Sequence, residues 1–479
     1  MHGSAAEAAR AMAGRVLSGD PEARWGGAAI DSRAVSPGSL FFAFPGARTD
    51  GHLFVADAFA RGAAGAVVER PVEAGEGFLL AVADAGDALV ALAREMRSRA
   101  PEKLAGITGS AGKTTTKELL AAMLARRFRV ARTAGNFNNR IGLPISMLNV
   151  PDGTEWMVAE LGMSSAGELR ELSLLARPDV AIFTVVRAAH LEFFDSVAAI
   201  AEAKAELLAG LGPNGLIVAN ADDPEVVRIA RRHAESRGGR IVWYGQRAAA
   251  DVRATGAEPL PAGEVGSRFR LEVPDGGIDV RLALHGLYNV ENCLAAAAAA
   301  WALGVPLAEI AAAAAAARPA SKRGVVHRLR LGADEAAREA TLIDDSYNSN
   351  PDALEKALAA AAELPASRRI AILGEMRELG PESPRFHREA GARAAALGFS
   401  PILGVGALAG ELVAAATAAG ALALHLPDAA AAADWAAREI GPGDLLLVKA
   451  SRGVRLEQVA ERVLALATPE RTERAGGEA

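Results

Sequence analysis

The sequence predicts an α/β protein of three domains, with a doubly wound parallel sheet in the central domain. The chain has 479 residues, and at roughly 150 residues per domain this length corresponds to about three domains. Hydrophobic residues make up 51% of the chain, which is enough for several buried cores. Short apolar runs alternate with helical segments, and alternating βα units predict parallel sheets.

The charge and the cysteine content exclude several classes of protein. The 52 basic and 58 acidic residues give a net charge of −6 without a basic run, so nucleic acid is not expected as a partner. The single cysteine, Cys293, cannot form an internal disulfide. The N-terminus has no apolar core of signal-peptide length. The longest uncharged apolar run, residues 293–308, is shorter than the ~20 residues of a membrane span. We therefore predict a cytoplasmic protein without a membrane span.

The first block, residues 1–101, has short apolar runs that predict strands at 40–44 and 66–68, and a helix at 81–99 that Pro101 closes. In the second block, residues 102–318, a helix follows the first strand and carries apolar residues at helical spacing. The strands predicted for this block are 104–108, 156–159, 180–186 and 216–219.

The third block, residues 319–479, repeats the alternation and predicts a second α/β domain with a parallel sheet. The strands predicted for it are 341–343, 370–373, 402–405 and 445–448.

The strongest functional motif is the glycine-rich segment 108–115, between a predicted strand and a predicted helix. Glycines let backbone N–H groups surround phosphate oxygens, and the helix N-terminus adds favourable partial charge. Lys113 can reach the β- and γ-phosphates, and the Thr114 hydroxyl can bind Mg²⁺. Ile107 replaces the first glycine of the usual P-loop pattern. An ordinary turn is the alternative, but the strand–turn–helix context favours phosphate binding. The predicted ATP-binding residues of this loop are Gly109, Ser110, Ala111, Gly112, Lys113, Thr114 and Thr115.

Two further candidates lie where such folds place functional residues, at the carboxyl ends of strands. Glu160 follows strand 156–159, and His190 follows strand 180–186 within a few residues. Both could serve a Mg²⁺ beside the nucleotide, although histidine is an unusual Mg²⁺ ligand. A solvated strand end is the alternative for Glu160, and for His190 both interpretations stay open.

Lys204 lies on the apolar face of a predicted helix, residues 196–211. An inward-facing lysine is costly unless it is paired or modified. The alternative is a side chain that reaches the helix edge and pairs with Glu202 or Glu206. The apolar face consists of Val197, Ile200, Leu207, Leu208 and Leu211.

Two polar segments follow strands of the third block. Residues 344–351, Asp-Asp-Ser-Tyr-Asn-Ser-Asn-Pro, could bind nucleotide or substrate hydroxyls, and an Asx-rich turn that caps the next helix is the alternative. Residues 449–453, Lys-Ala-Ser-Arg-Gly, could hold an anionic substrate group, and a basic helix start is the alternative.

Several of these segments together resemble the Mur ligase family. The loop 108–115 is similar to the nucleotide loop of that family and of folylpolyglutamate synthetase, and residues 31–33, 37–43 and 50–52 resemble the UDP-binding domain of the later Mur ligases. A further set resembles the branch that adds D-alanyl-D-alanine, namely residues 135–144, 345–351, 373–376 and 449–452. The resemblance covers about residues 28–460.

The resemblance implies an ATP-dependent ligase that uses Mg²⁺ and joins D-alanyl-D-alanine to a UDP-N-acetylmuramoyl tripeptide through an acyl phosphate. It implies a UDP-substrate-binding domain at 1–101, a P-loop ATP-binding domain at 102–318 and a Rossmann-like domain at 319–479. We predict a monomer. The alternatives are the preceding Mur ligase, which adds a diamino acid, and a P-loop NTPase switch. A switch does not need the two additional domains, and no Asp-Asn-Pro-Arg segment of the preceding ligase is present.

The resemblance also implies roles for single residues. Lys204 becomes a carbamylated lysine that binds a second Mg²⁺, and Glu160 and His190 become metal ligands. Asn292 and Asp345 become nucleotide contacts. The predicted substrate contacts are Ser32, Arg33, Asn138, Asn139, Asn348, Lys449 and Arg452. The sequence departs from the family at Tyr288, where histidine is common, at Ala450, a frequent glycine, and at Ser164-Ser165.

Overall fold

The structure is a computed structural model that describes residues 2–46, 49–73, 75–188, 191–247, 249–261, 263–331 and 338–466. The described residues form three α/β units, each built around its own sheet, and a two-stranded ribbon. This architecture confirms the predicted fold class. The units lie within the predicted domains, whose boundaries stay predictions. None of the helices in the described part of the chain is long and apolar enough to cross a membrane.

The first unit contains a five-stranded sheet of order β2-β7-β6-β5-β4, in which only β2 is antiparallel to its neighbour. The predicted helix 81–99 begins later, at Ala85, because Asp84 accepts a hydrogen bond from the Asp87 N–H at 2.7 Å and caps the helix. Its elements are β1 (His2–Ser4), α1 (Ala5–Ala11), β2 (Arg15–Ser18), β3 (Arg24–Gly26), β4 (Ala28–Ala29), β5 (Leu40–Phe42), α2 (Val55–Ala60), β6 (Gly65–Val68), β7 (Phe78–Ala81) and α3 (Ala85–Arg99).

The second unit contains a nine-stranded sheet of order β16-β15-β14-β13-β12-β11-β8-β10-β9. Strands β8 to β14 are parallel, whereas β15 is antiparallel to both β14 and β16. Its elements are β8 (Lys103–Thr108), α4 (Lys113–Leu124), β9 (Val130–Arg132), α5 (Gly142–Leu148), β10 (Trp156–Glu160), α6 (Glu168–Ala176), β11 (Val180–Phe183), α7 (Val197–Ala205), β12 (Leu216–Asn220), α8 (Pro224–Arg237), β13 (Arg240–Gly245), β14 (Val252–Pro259), β15 (Ser267–Val273), β16 (Gly276–Leu282), α9 (Tyr288–Ala302) and α10 (Leu307–Ala315).

Both faces of this sheet are covered. Adjacent residues of β12, Ile217 and Val218, belong to two different hydrophobic cores, because successive side chains of a strand point to opposite faces. One core includes Leu169 of α6 and Ile200 of α7, and the other includes residues of α4, α9 and α10. The sheet is therefore doubly wound, as predicted. Strand β8 lies between β11 and β10, at the point where the chain changes direction across the sheet, and ligands of such folds bind at this point.

The third unit contains a six-stranded sheet of order β17-β18-β22-β19-β20-β21, parallel except for the β17–β18 pair. Its elements are β17 (Val325–Leu331), β18 (Arg338–Asp345), α11 (Pro351–Glu363), β19 (Arg368–Gly374), α12 (Ser383–Ala396), β20 (Ile402–Val405), α13 (Ala409–Ala418), β21 (Ala423–Leu426), α14 (Ala429–Glu439), β22 (Asp444–Lys449) and α15 (Glu457–Leu464).

Two predicted elements of the second unit are shorter in the structure. Strand β11 ends at Phe183 rather than at residue 186, because the following backbone leaves the sheet and binds the glycine-rich loop: the Ser110 N–H donates to the Val185 carbonyl at 2.7 Å. The helix predicted at 196–211 ends at Ala205 and continues as a 3₁₀ turn, Glu206–Ala209.

Candidate functional site

The glycine-rich loop connects β8 to α4 and packs tightly against the rest of the second unit. Gly109 and Gly112 have φ values of +151° and +82°, which disfavour a side chain. A Cβ atom would overlap the Thr184 hydroxyl at the first position and the Asn292 side chain at the second. The Thr184 hydroxyl donates to the Ala111 carbonyl at 2.6 Å and holds the loop in place. The backbone thus has the shape that a phosphate-binding loop needs.

Lys113, the first residue of α4, folds back along this loop. Its ammonium donates to the Gly109 carbonyl at 2.8 Å. Burial lowers the pKa of Lys113, while the carboxylate of Glu160 opposes that shift. The positive charge is therefore fixed within the loop, where phosphoryl oxygens would gather.

Glu160, the last residue of β10, is 2% exposed and accepts two hydrogen bonds. The Thr114 hydroxyl donates to its Oε2 at 2.6 Å, and the Asn138 amide donates to its Oε1 at 2.7 Å. Burial by itself would raise the pKa of Glu160. The charges of Lys113 and Arg323, together with these two hydrogen bonds, outweigh burial, and the pKa is lowered. An ionised carboxylate beside a hydroxyl is a pair of hard oxygen ligands, which fits Mg²⁺.

Lys204 of α7 lies on the wall of a cavity that Lys113 and Glu160 also line. It is 2% exposed, so the prediction that it faces inward is confirmed. Neither predicted surface partner pairs with it. Glu202 pairs with Arg228 and Arg232, both at 2.6 Å, and the Glu206 carboxylate accepts from the backbone N–H of Gly167 at 2.8 Å. Burial, and then the charge of Lys113, places the pKa of Lys204 well below its usual value.

His190 lies outside the described residues, so its metal role stays a prediction. Within the part of the chain that the structure describes, no three His, Cys, Asp or Glu side chains gather into a group that could hold a metal. Of the predicted metal ligands, the structure brings the Thr114 hydroxyl and the Glu160 carboxylate into direct contact.

The third unit contributes paired charges from two neighbouring strand ends. Asp345 of β18 and Lys449 of β22 are in register. The Lys449 ammonium donates to Asp345 Oδ2 at 2.6 Å and to the Asn348 carbonyl at 2.9 Å. Burial raises the pKa of Asp345, although the charge of Lys449 opposes this. The pair fixes the shape of the loop that follows β18.

A cavity of about 550 Å³ lies between the second and third units. Gly109, Ser32 and Arg33 do not line it. Arg33 lies in the first unit, where its guanidinium pairs with Asp31 at 2.6 Å and lowers the pKa of that carboxyl to about 2. The predicted residues that line the cavity are Ser110, Ala111, Gly112, Lys113, Thr114, Thr115, Asn138, Asn139, Glu160, Lys204, Asn292, Asp345, Asn348, Lys449 and Arg452.

Sequence reasoning missed several charged residues of this cavity, above all Arg323. Its guanidinium lies 4.0 Å from the centroid of the Tyr347 ring, and its charge lowers the pKa of Glu160. Lys356, Arg377 and Glu291 also line the cavity. Arg323 is one of two adjacent basic residues before Gly324, close to the predicted domain boundary, and that position was the only sequence signal for it.

A chain of alternating charges joins the two units beside the cavity. Arg187 pairs with the buried Asp223 at 2.6 Å and approaches Asp352 of α11 at 3.7 Å. Lys356, one turn further along α11, pairs with Asp352 at 3.0 Å and approaches Glu291 of α9 at 3.7 Å. Two residues of the third unit thus lie between two residues of the second.

We expect this row of ion pairs to support nucleotide binding, because it holds the second and third units together beside the cavity. Glu291→Gln and Lys356→Met should each raise the KM for ATP about 2–5-fold, because a partly exposed ion pair contributes up to about 1 kcal/mol. The double variant should raise the KM by less than the product of the two single effects, because the Glu291–Lys356 ion pair is already lost in either single variant. Steady-state kinetics of the four proteins measures this coupling.

The matched control is Glu355→Gln, since Glu355 lies on the same helix but pairs with Arg393 inside the third unit at 2.8 Å. It should leave the KM for ATP unchanged. Additive effects of the Glu291 and Lys356 substitutions would contradict the proposed coupling.

Comparison with known proteins agrees with this geometry. Three Mur ligase models match the chain: "Mur ligase family, catalytic domain" at residues 26–134, "Mur ligase middle domain" at 107–300 and "Mur ligase, glutamate ligase domain" at 327–452. The UDP-N-acetylmuramoyl-tripeptide–D-alanyl-D-alanine ligase of Escherichia coli (strain K12) is 35% identical, over 90% of this chain and 91% of that protein. The chain belongs to the Mur ligase family.

Solved structures of Mur ligases show the same architecture. A crystal structure of MurF from Acinetobacter baumannii has a TM-score of 0.82 and 31% identity, and covers 97% of this chain and 99% of that one. MurF from Thermotoga maritima in complex with ADP has a TM-score of 0.75 and 28% identity, and the match covers 92% of this chain and 97% of that one. This Mur ligase is therefore an ATP-dependent enzyme that forms amide bonds, as the sequence predicted.

Proposed function

We propose that this Mur ligase joins D-alanyl-D-alanine to a UDP-N-acetylmuramoyl tripeptide in the synthesis of peptidoglycan precursors. The observation that carries the proposal is the shared cavity. The phosphate loop, the Thr114–Glu160 pair and Lys204 face the strand ends of the third unit across it. The Escherichia coli relative is named for this reaction and is similar over nine tenths of its length. We also propose that the enzyme is cytoplasmic and monomeric.

The chemistry requires activation, because a carboxylate is a poor electrophile. The terminal carboxylate of the tripeptide attacks the γ-phosphorus of ATP, so an oxygen–phosphorus bond forms and ADP leaves. The amine of D-alanyl-D-alanine then attacks the carbonyl carbon of the acyl phosphate, and phosphate leaves as the amide forms. The protein contributes mainly position and charge.

The charged and polar groups of the cavity take different roles in this reaction. The ammonium of Lys113 and the backbone N–H groups of the loop balance negative charge on the transferring phosphoryl group. The Asp345–Lys449 pair orders the loop that follows β18 on the opposite wall. Mg²⁺, when bound, supplies further positive charge to the phosphate oxygens, and Thr114, Glu160, His190 and carbamylated Lys204 are the proposed residues that would hold it.

The acyl phosphate is tested by trapping. Hydroxylamine added with ATP and the UDP-linked tripeptide, but without the dipeptide, should yield a hydroxamate, because hydroxylamine attacks an acyl phosphate readily. Mass spectrometry detects that product. Omission of ATP should abolish it. If neither a hydroxamate nor positional isotope exchange in ATP is found, phosphate does not activate the carboxylate directly.

The identity of the amine is tested separately by phosphate release. The enzyme is supplied with ATP, the UDP-linked tripeptide and one candidate amine at a time. Release that depends on D-alanyl-D-alanine supports the proposal. Release with a diamino acid and the corresponding shorter acceptor would assign the preceding step instead, and slow hydrolysis that no amine stimulates would favour an NTPase switch.

A further inference from the structure

Lys117, the fifth residue of α4, is a buried lysine to which the ligation scheme gives no role. It is 0% exposed and follows Lys113 by one helical turn. Its ammonium donates to two backbone carbonyls, that of Thr133 at 2.7 Å and that of Gly135 at 3.0 Å. The carboxylate of Glu118 lies 3.1 Å from the same ammonium. These contacts offset the cost of burying a charge, and they attach α4 to the segment that follows β9.

That segment is the asparagine loop, residues 133–141, which connects β9 to α5. Its residues Asn136, Asn138 and Asn139 line the cavity of about 550 Å³. The Asn138 N–H donates to the Asn136 carbonyl at 2.7 Å, and Asn139 Oδ1 accepts from the Gly142 N–H at 2.9 Å. The lysine is therefore bound to the start of a loop whose later residues form part of the cavity wall.

The asparagine loop contacts Glu160 at both its backbone and its side chain. The Glu160 N–H donates to Thr133 Oγ1 at 3.2 Å, and the Asn138 amide donates to Glu160 Oε1 at 2.7 Å. Asn138 is itself held beside the end of β10, because its carbonyl accepts from the Gly162 N–H at 2.8 Å. The orientation of the Glu160 carboxylate therefore depends on where the asparagine loop lies.

We propose that Lys117 is a positioning residue for the ligation, whose ammonium holds the asparagine loop where Asn138 orients the Glu160 carboxylate. Lys117 does not line the cavity, so it acts through the loop rather than on a substrate. The inference rests on the proposed function, in which Glu160 is one of the residues that would hold Mg²⁺. A lysine that only satisfies two buried carbonyls, without any effect on the reaction, is the alternative.

Lys117→Met tests the proposal, because methionine has a similar length and no N–H donor. The kcat for ligation should fall about 10–100-fold, as expected when an outer partner of a metal ligand is lost. The Mg²⁺ concentration that gives half-maximal activity should rise, because Glu160 is no longer held in one orientation. Steady-state kinetics at a series of Mg²⁺ concentrations, together with a thermal unfolding curve, measures both effects.

Hydrogen–deuterium exchange gives a readout that does not depend on activity. It is followed by mass spectrometry on the enzyme without metal or substrates. In Lys117→Met, peptides that cover residues 133–141 should exchange faster, because the loop is held by fewer hydrogen bonds. Peptides from the third unit should exchange as they do in the unchanged protein.

The matched control is Arg97→Met, which removes another enclosed cation that binds backbone carbonyls. The Arg97 side chain is 8% exposed, and its guanidinium donates to the carbonyls of Ala176 and Glu102, both at 2.8 Å. None of these three residues lines the cavity. Arg97→Met should lower Tm, because two buried carbonyls lose their partner. It should leave kcat within about twofold of normal and the exchange of the asparagine loop unchanged.

A double-mutant cycle with Asn138→Ala tests whether Lys117 acts through the loop. The two side chains do not share a hydrogen bond, so a lysine with a purely structural role predicts multiplicative losses in kcat. If Lys117 acts by placing Asn138, the double variant should lose clearly less than the product of the two single losses.

Three results would overturn the proposal. The first is a folded Lys117→Met enzyme with normal kcat and normal Mg²⁺ dependence. The second is multiplicative losses in the cycle with Asn138→Ala. The third is an equal loss of kcat in Lys117→Met and Arg97→Met, with faster exchange throughout both proteins. If Lys117→Met does not fold, Lys117→Gln, whose amide falls one bond short of the two carbonyls, is measured in its place with the same expected results.

The proposed function can fail separately. An unchanged enzyme that does not ligate D-alanyl-D-alanine would contradict the proposed function alone, because the exchange of the asparagine loop in Lys117→Met and Arg97→Met would still show whether Lys117 holds that loop.

Discussion

Lys113→Ala is expected to reduce ligation at least about 10³-fold while the protein stays folded. The lysine ammonium lies within the phosphate loop, 2.8 Å from the Gly109 carbonyl, so its charge is positioned before substrates arrive. Charges held in this way around a phosphoryl group account for rate factors of about 10³ or more. The measurement is product formation from ATP, the UDP-linked tripeptide and the dipeptide, together with a thermal unfolding curve.

The matched control is Lys103→Ala at the opposite end of the same strand, where an exposed lysine lies 5.7 Å from the centroid of the Trp156 ring. That variant should ligate at nearly the normal rate. Turnover close to normal in folded Lys113→Ala protein would contradict the assignment of residues 108–115 as the phosphate-binding loop.

Lys204→Ala should lose at least about 100-fold in activity, and formate or acetate should restore part of it. A lysine buried without either predicted partner has a lowered pKa, so more of its amine is neutral at a given pH. Neutral amine adds CO₂ to form a carbamate, which is an anionic oxygen ligand suited to Mg²⁺. A small carboxylate can occupy the space of that carbamate, and the loss of a metal contact is worth several kcal/mol.

Lys204→Arg separates this hypothesis from a need for positive charge. Arginine keeps the charge and cannot form the carbamate, so we expect it to be inactive. Glu202→Gln is the control, because Glu202 pairs with Arg228 and Arg232 rather than with Lys204. An active Lys204→Arg enzyme, or a high-resolution map with an unmodified Lys204 side chain in the active enzyme, would contradict the carbamate.

The lowered pKa of Lys204 also determines how activity depends on pH. Because the carbamate forms from neutral amine, activity should fall as the pH drops through the lowered pKa of Lys204 and the amine becomes protonated. Added bicarbonate should raise activity in buffers freed of CO₂. Rates measured across pH, with and without bicarbonate, check this. A rate that bicarbonate leaves unchanged at every pH would count against the modification.

Local sequence predicted the parts of the site that depend on one element. The glycine spacing of residues 108–115 marks the turn between β8 and α4, and helical spacing places Lys204 on a buried face. Both patterns act within a few residues of the chain, where backbone geometry and burial leave a clear periodicity.

Local patterns of this kind could not predict contacts between segments that are distant in the sequence. Strand β11 ends early because its continuation bonds to Ser110, more than seventy residues earlier in the chain. The ring contact between Arg323 and Tyr347 and the ion pair between Asp345 and Lys449 also depend on how strands pair. Nothing in the spacing of those residues specifies that pairing.

The close packing of the glycine-rich loop has a consequence for inhibitor design. A side chain at position 109 would overlap Thr184, and one at position 112 would overlap Asn292. Resistance to an inhibitor commonly arises when a substitution adds bulk where the drug binds. At these two positions added bulk would distort the enzyme's own backbone first. We therefore expect few substitutions at these positions to give resistance to a compound that hydrogen-bonds to the peptide groups of this loop.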